Sequence, residues 1–342
     1  MKTLQMMENV LIEKRIKVRT IIEKLINSPE PSVRYRIARD VLDKDPQSAE
    51  MLAMQEEIRN SDRVKQLLSE KQPDGTLPHH AYFKWAGSHW TLAMLAELCY
   101  PSGNSLLIPL REQELDWLLG EHHIQAYEEK RRKYGPERIR RCGSQEGYAI
   151  FSLYSLGLED DRVKLLIDRL LECQWPDGGW NCDWHPKADT SSFHETWLPM
   201  RAIWLAAEKT GNGKLRETAR QAAEVFLQRR MFRRVHGGEV IDPGFLKLHY
   251  PFYWHYTILN GLKVMAEMGL IHDPRCKEAL DWLESKELPE GGYAADKKIY
   301  RVTTKTTASG CSLVGWGKSN GKSMNEFVTV EVLTVLHAAG RI

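Results

Sequence analysis

Two textures of apolar and polar residues alternate along the chain. In one, apolar positions fall on a single helical face and the stretch runs into a polar or Gly-rich break. The segments are VKQLLSEKQPDGTLP from Val64, LDWLLGEHH from Leu115, LLIDRLLECQWPDGGW from Leu165, AAEVFLQRRMF from Ala222 and ALDWLESKELPEGGY from Ala279. Their equivalent leucines (Leu68, Leu119, Leu171, Leu227, Leu283) return every 51 to 56 residues. Each break leads to a stretch that is apolar almost all the way round, the mark of a helix buried on most sides. These begin at His89, Glu146, His194, His255 and Asn325.

A fixed alternation of one-faced and all-round apolar helices predicts an all-α chain built as a barrel of helical hairpins, an α/α toroid. Leu95, Ile150, Ile203, Leu262 and Val332 are then expected in its buried inner layer. TVEV at Thr329 has strand propensity but keeps helical spacing. Residues 1–60, with the Pro-marked break in PEPSVRYRIARDVLDKDP, read as additional helices. The organisation expected is one domain over 1–342, with 1–60 as a helical extension packed on it.

CQWPDGGW places Gln174, Gly178 and Trp180 in a Q-x3-G-x-W frame. Gln72, Gly75 and Leu77, and Glu287, Gly291 and Tyr293, repeat the frame in altered form. The pattern resembles the QW repeat of squalene and oxidosqualene cyclases, and so the terpenoid cyclase/protein prenyltransferase superfamily of α/α toroids, over roughly residues 60–342. In physical terms the Gln satisfies free backbone groups at a helix end and the aromatic packs on a neighbouring hairpin. Such residues argue fold, not catalysis.

If the all-round apolar helices start at one end of a barrel, His89, Glu146, His194, His255 and Asn325 share a level, with Gln145, Glu195, Tyr256 and Glu326 beside them. Free helix N–H groups add to that polar end. His194, Glu195 and His255 are the expected proton-handling groups, with Tyr256 beside them and Asp189 orienting a histidine. His89, Glu146 and Asn325 are expected to bind a ligand's polar head. Two basic stretches, Glu128–Arg141 and Arg229–Glu239, fall in nearby connections, where solvated loops and anion-binding loops fit equally well.

Composition narrows the partners. Lys and Arg number 48 against 46 Asp and Glu, a formal charge of +2, which offers no overall field for nucleic acid. No apolar run approaches the roughly 20 residues a membrane span needs, and the first residues lack the apolar core of a signal peptide. The expectation is a soluble, cytoplasmic protein whose six cysteines are free thiols. Eleven tryptophans are many for this length, and Trp85, Trp180, Trp184 and Trp254 are expected to line an apolar central cavity.

The resemblance implies a cyclase- or prenyltransferase-like protein that takes an apolar or amphiphilic, isoprenoid-like small molecule. The chain departs from it in chemistry. It has no D-x-D-D acid for protonating an alkene; WHPKADTSSFHET, with His185, Asp189, His194 and Glu195, stands in that region. The metal-binding acidic motif of ionising synthases is also missing. No cofactor is therefore expected; the alternative is the zinc of prenyltransferases, for which Cys182, Asp183, Asp189 and His255 are the available ligands, without a D-x-C pair. CGSQ, Cys142 to Gln145, has the spacing of the C-G-E-Q thioester found in another toroid, but its middle residue differs, and a buried free thiol near a helix start is the reading preferred. Two other classes fit the same residues: a polysaccharide lyase or glycoside hydrolase of the α/α-barrel type, through Tyr256, His255, His194 and Asn325, and a non-catalytic protein that sequesters an apolar ligand. Whether the chain is an enzyme, and its oligomeric state, stay open at this level.

Overall fold

The computed structural model describes residues 2–134 and 138–342 and is mostly helical. Six helices are buried on nearly every side: α2 (Pro31–Asp40), α5 (Ser88–Glu97), α8 (Gly143–Leu156), α10 (Phe193–Thr210), α12 (Ile258–Glu267) and α14 (Glu326–Ala338). The others are more one-sided: α1 (Lys2–Ile26), α3 (Ala49–Arg59), α4 (Asp62–Leu67), α6 (Ile108–Leu119), α7 (Glu121–Tyr134), α9 (Asp161–Cys173), α11 (Gly213–Leu227) and α13 (Lys277–Glu284). Strand structure among the described residues is slight: Arg301–Val302 pairs in parallel with Cys311–Ser312.

Packing follows chain order. The buried helices touch in the series α5–α8–α10–α12–α14–α2, and all but α14 pack against the helix that follows: α5 on α6, α8 on α9, α10 on α11, α12 on α13 and α2 on α3. Leu95, Ile150, Ile203, Leu262 and Val332 are fully buried. TVEV lies inside α14, because the all-round apolar pattern there continues for three turns past its Asn325 cap. The N-terminal segment is more than an appendage: α2 packs directly on α14 and buries Val33, Tyr35, Arg36 and Ile37.

Three turns share one geometry. Gln72 N–H donates to the Thr76 carbonyl and Gly75 N–H to that of Gln72. Trp175 and Gly178, and Leu288 and Gly291, repeat the pair of bonds. The glycine takes a left-handed φ in each (+86°, +99°, +86°), where a side chain would be strained. Two residues on, the Trp180 and Tyr293 amides donate to Thr196 and Thr329 on the following buried helix. The Trp180 indole donates back to Leu170 of α9, and Gln174 donates to the Gly178 and Thr218 carbonyls. The second and third turns thereby tie an outer helix to the following buried one, while in the first the Leu77 amide donates to Gln113 of α6.

The α8–α10 contact brings backbone against backbone. A Cβ on Gly147 would stand 2.5 Å from the Pro199 nitrogen and 2.6 Å from the Leu198 carbonyl carbon. Gly147→Ala must push the two helices apart, and we expect a loss of about 1–3 kcal/mol in denaturant melts. Gly213→Ala, at the open start of α11 with nothing within 4 Å, is expected to gain about 0.4–1 kcal/mol in the same assay. Equal effects at the two glycines would contradict this packing.

Candidate functional site

The residues at the starts of the buried helices divide into separate groups. His89 is fully buried, and its Nδ1 lies 2.7 Å from Glu114 Oε1 on α6. Burial raises the Glu114 carboxyl, and His89 offsets only part of this. Glu146 is enclosed by Arg141 and Arg169 (2.5 and 3.0 Å). Asn325 caps α14: its Oδ1 accepts from Val328 N–H, and its amide nitrogen donates to the Trp316 and Lys318 carbonyls. Glu146 and Asn325 thus find their partners within the protein, whereas His89 Nε2 and Glu114 Oε2 are buried without a hydrogen-bond partner among the described residues.

His194, Trp254, His255 and Tyr256 do come together. The His255 ring stacks on Trp254 at 4.0 Å and lies 6.5 Å from the His194 ring. His194 Nδ1 accepts the Tyr256 backbone N–H at 2.8 Å, so a main-chain amide orients that imidazole, while Asp189 sits exposed in the loop before α10. His255 does not begin its helix; α12 starts at Ile258 behind a Thr257–Asn260 capping box. Burial lowers His255 to about 4, with His194 and Lys297 adding to the effect. Burial lowers His194 as well. The Tyr256 hydroxyl is buried and donates to the Met231 carbonyl.

Glu195 keeps different company. Its Oε2 accepts the Ser144 N–H at 3.0 Å, and its Oε1 lies 3.4 Å from Cys182 Sγ. Burial pushes this carboxyl above the usual range, against the pull of its hydrogen bonds and of Lys130. Cys142 lies next to Cys182, and the Gln145 side chain next to the Tyr82 phenol. Of the basic stretches, residues 135–137 lie outside the described residues; Arg141 serves Glu146, and Arg233 pairs with Glu278 at 2.6 Å.

The tryptophans pack against neighbours. Trp85 stacks on Tyr253 at 3.8 Å and meets Trp90 edge-on, while Trp180 is fully enclosed. Trp184 is 52% exposed, beneath Lys130. Aromatic rings thus fill the space between the helix starts.

The opposite ends of the same helices carry a different chemistry. Arg36 of α2 forms a two-pronged pair with Glu331 of α14 (2.7 and 2.8 Å). Lys263 of α12 bridges Glu331 and Glu97 of α5 (3.0 and 3.2 Å). Arg201 of α10 joins Glu97 at 2.5 Å and Glu267 at 2.7 Å, with its guanidinium 3.7 Å over the Phe151 ring of α8. The six buried helices therefore meet through one continuous set of ion pairs and ring contacts. Burial alone would raise the Glu97 and Glu331 carboxyls. Arg201 and Lys263 beside Glu97, and Arg36 and Lys263 beside Glu331, more than offset it and hold both well below the usual carboxylate range.

All of these charges except Glu331 border a cavity of about 610 Å³. It is lined by the C-terminal halves of the six buried helices, with walls that include Tyr100, Phe151, Tyr154, Trp204 and Leu205. Trp85, Trp180, Trp184 and Trp254 do not line it, nor do His194, His255 or Glu195. The charged network lies outside the residues picked out from sequence, although a signal is present there. Glu97, Arg201, Lys263 and Glu331 each interrupt an otherwise apolar stretch about two turns beyond its start. No family model matches the chain, and no curated protein matches it in sequence.

Both glutamates have depressed folded-state values, so the stability they supply is complete above the unfolded value of about 4.3 and lost as pH falls through and below it. The wild-type thermal midpoint should fall steeply between about pH 5 and pH 2. Lys263→Met leaves Glu97 and Glu331 without their shared cation and should cost about 3–5 kcal/mol at neutral pH. It should also flatten the acid dependence, because the two carboxyls are then less depressed. Parallel midpoint-versus-pH curves for the two proteins would contradict the assignment.

Proposed function

We propose that the chain is an α/α-toroid protein, similar to terpenoid cyclases and prenyltransferases in architecture, that binds an amphiphilic small molecule in the cavity at the C-terminal ends of its buried helices. The toroid reading is supported by the order in which the buried helices pack and by the three congruent Gly turns. The ligand reading is carried by one observation: aromatic and aliphatic walls stand over a floor of buried charge in a space of about 610 Å³. That volume lies in the ordinary range for small-molecule sites, and mixed lining selects a ligand with an apolar body and a polar head.

Binding without chemistry fits this cavity better than acid–base catalysis. Glu97, Arg201 and Lys263 are each tied to opposite charges. A carboxylate held ionised in this way is a weak base, and a paired guanidinium does not give up its proton. The histidines able to accept a proton lie at the other end of the helices; seven residues along α10 separate His194 from Arg201, about 10 Å of rise. The polar groups at the helix starts, in this reading, serve the fold.

Ser155 lines the cavity wall from the last turn of α8 and is half-buried, so a larger side chain there enters the cavity rather than the core. We expect a dansyl-labelled fatty acid to bind the wild-type protein, farnesol to displace it, and Ser155→Trp to weaken binding at least about tenfold, or 1.4 kcal/mol. The thermal midpoint of the variant should stay close to that of the wild type. Undiminished binding by a folded Ser155→Trp would place the ligand elsewhere, and absence of binding by the wild type would count against an amphiphile.

A further inference from the structure

At the other end of the helices, three side chains from separate segments converge without an ion pair between them. Cys142 is the residue before α8, and its side chain makes no capping bond. Cys182 comes from the loop between α9 and α10, and Glu195 from the first turn of α10. One ligand atom from each, two thiol sulfurs and a carboxylate oxygen, all lie within 4.8 Å of one another. The Cys182 sulfur is 3.4 Å from Glu195 Oε1.

We infer that Cys142, Cys182 and Glu195 form a binding site for one zinc ion. Zinc–sulfur bonds of about 2.3 Å and zinc–oxygen bonds of about 2.0–2.2 Å, set at tetrahedral angles, place ligand atoms roughly 3.5–3.8 Å apart. The Cys182–Glu195 separation of 3.4 Å is just short of that range and all three ligand atoms lie within 4.8 Å, so an ion can enter with small side-chain movements. Two sulfurs make the site soft, which selects zinc over magnesium or calcium. Glu195 is oriented as a metal ligand should be: the Ser144 N–H holds Oε2 at 3.0 Å and leaves Oε1 facing the sulfurs. The set differs from the one the prenyltransferase resemblance offered, since Asp183 and Asp189 are exposed and His255 belongs to the Trp254 stack.

Binding exchanges protons for the metal. Both thiols release theirs to solvent as the two sulfur–zinc bonds form, and a protonated Glu195 releases one more. The resulting centre carries one net negative charge. Lys130, which acts electrostatically on both Cys142 and Glu195, offsets it, as do the N-terminal ends of α8 and α10. Three protein ligands leave the fourth position to water. Tyr82 and Gln145, close to the thiols, line a cleft of about 650 Å³ with Trp117 and His123. The site is separate from the charged cavity, and its test is independent of ligand binding there.

The test is cobalt titration of the full-length protein, reduced and freed of metal with a chelator. One equivalent of Co²⁺ should produce thiolate-to-cobalt charge-transfer absorption together with the intense visible bands of a tetrahedral ion, and Zn²⁺ should abolish both. Cys182→Ser should weaken binding at least about 100-fold and halve the charge-transfer intensity; Glu195→Gln should keep the intensity while weakening affinity about 10–100-fold. Zn²⁺ should also shield Cys142 and Cys182, and no other cysteine, from alkylation mapped by mass spectrometry, a readout that needs no variant. Circular dichroism of metal-free Cys182→Ser, matching that of the metal-free wild type, separates ligand loss from misfolding. The inference is overturned if the reduced protein gives no charge-transfer band, if the alkylation pattern ignores zinc, or if folded Cys182→Ser binds as tightly as the wild type.

Discussion

Two fully buried carboxylates, Glu97 and Glu331, set the terms for the rest of the molecule. An ionised group removed from water costs several kcal/mol unless cations and hydrogen bonds surround it. Here the answer comes from four other segments of the chain. Arg36, Arg201 and Lys263 reach in from α2, α10 and α12, and the Tyr148 hydroxyl of α8 lies 3.4 Å from Glu97. None of these helices can rotate or slide without uncovering a charge. Such a network adds little net stability over a well-packed apolar core, but it fixes one arrangement of helices among the many that greasy surfaces allow.

The cations also answer the helices themselves. Six helices end around the cavity, and each C-terminal end carries partial negative charge. Arg36, Arg39, Arg201 and Lys263 stand near those ends and offset it. The other half of the molecule has the reverse economy: helix starts are closed by capping groups such as Asn325 and by enclosed pairs such as His89–Glu114, and aromatic rings occupy the space between them. The cavity opens at the end where the charged side chains converge, with Arg36, Glu97, Arg201 and Lys263 along its lining.

The sequence read alone carried the helices and their burial, because a strong 3.6-residue pattern survives any detail of packing. Leu95, Ile150, Ile203, Leu262 and Val332 needed only that pattern. It also carried the Gly turns, since Gly75, Gly178 and Gly291 stand where the backbone takes a left-handed conformation. The sites were harder. At helix starts a cap and a catalytic group look alike in sequence; Asn325 is a cap, and His255 lies before a helix that begins at Ile258. The charged centre depends on partners far apart in sequence, and α2 reads as an extension because Arg36 gives no hint of Glu331 until both helices are folded. Cys142, Cys182 and Glu195 were each noticed for separate reasons, yet only the fold brings them within reach of one another.

The claim that this ion network orders the helices is tested most directly by a double-mutant cycle on Arg36 and Glu331, followed by denaturant melts. Arg36→Met and Glu331→Leu should each cost about 3–5 kcal/mol, because each leaves a buried partner charge exposed to its own desolvation. The double variant should recover most of one of these losses, since Lys263 still has Glu97 and no charge at the α2–α14 contact remains uncompensated. Simple additivity of the two losses would contradict the account and leave Arg36 and Glu331 as independent contributors to packing.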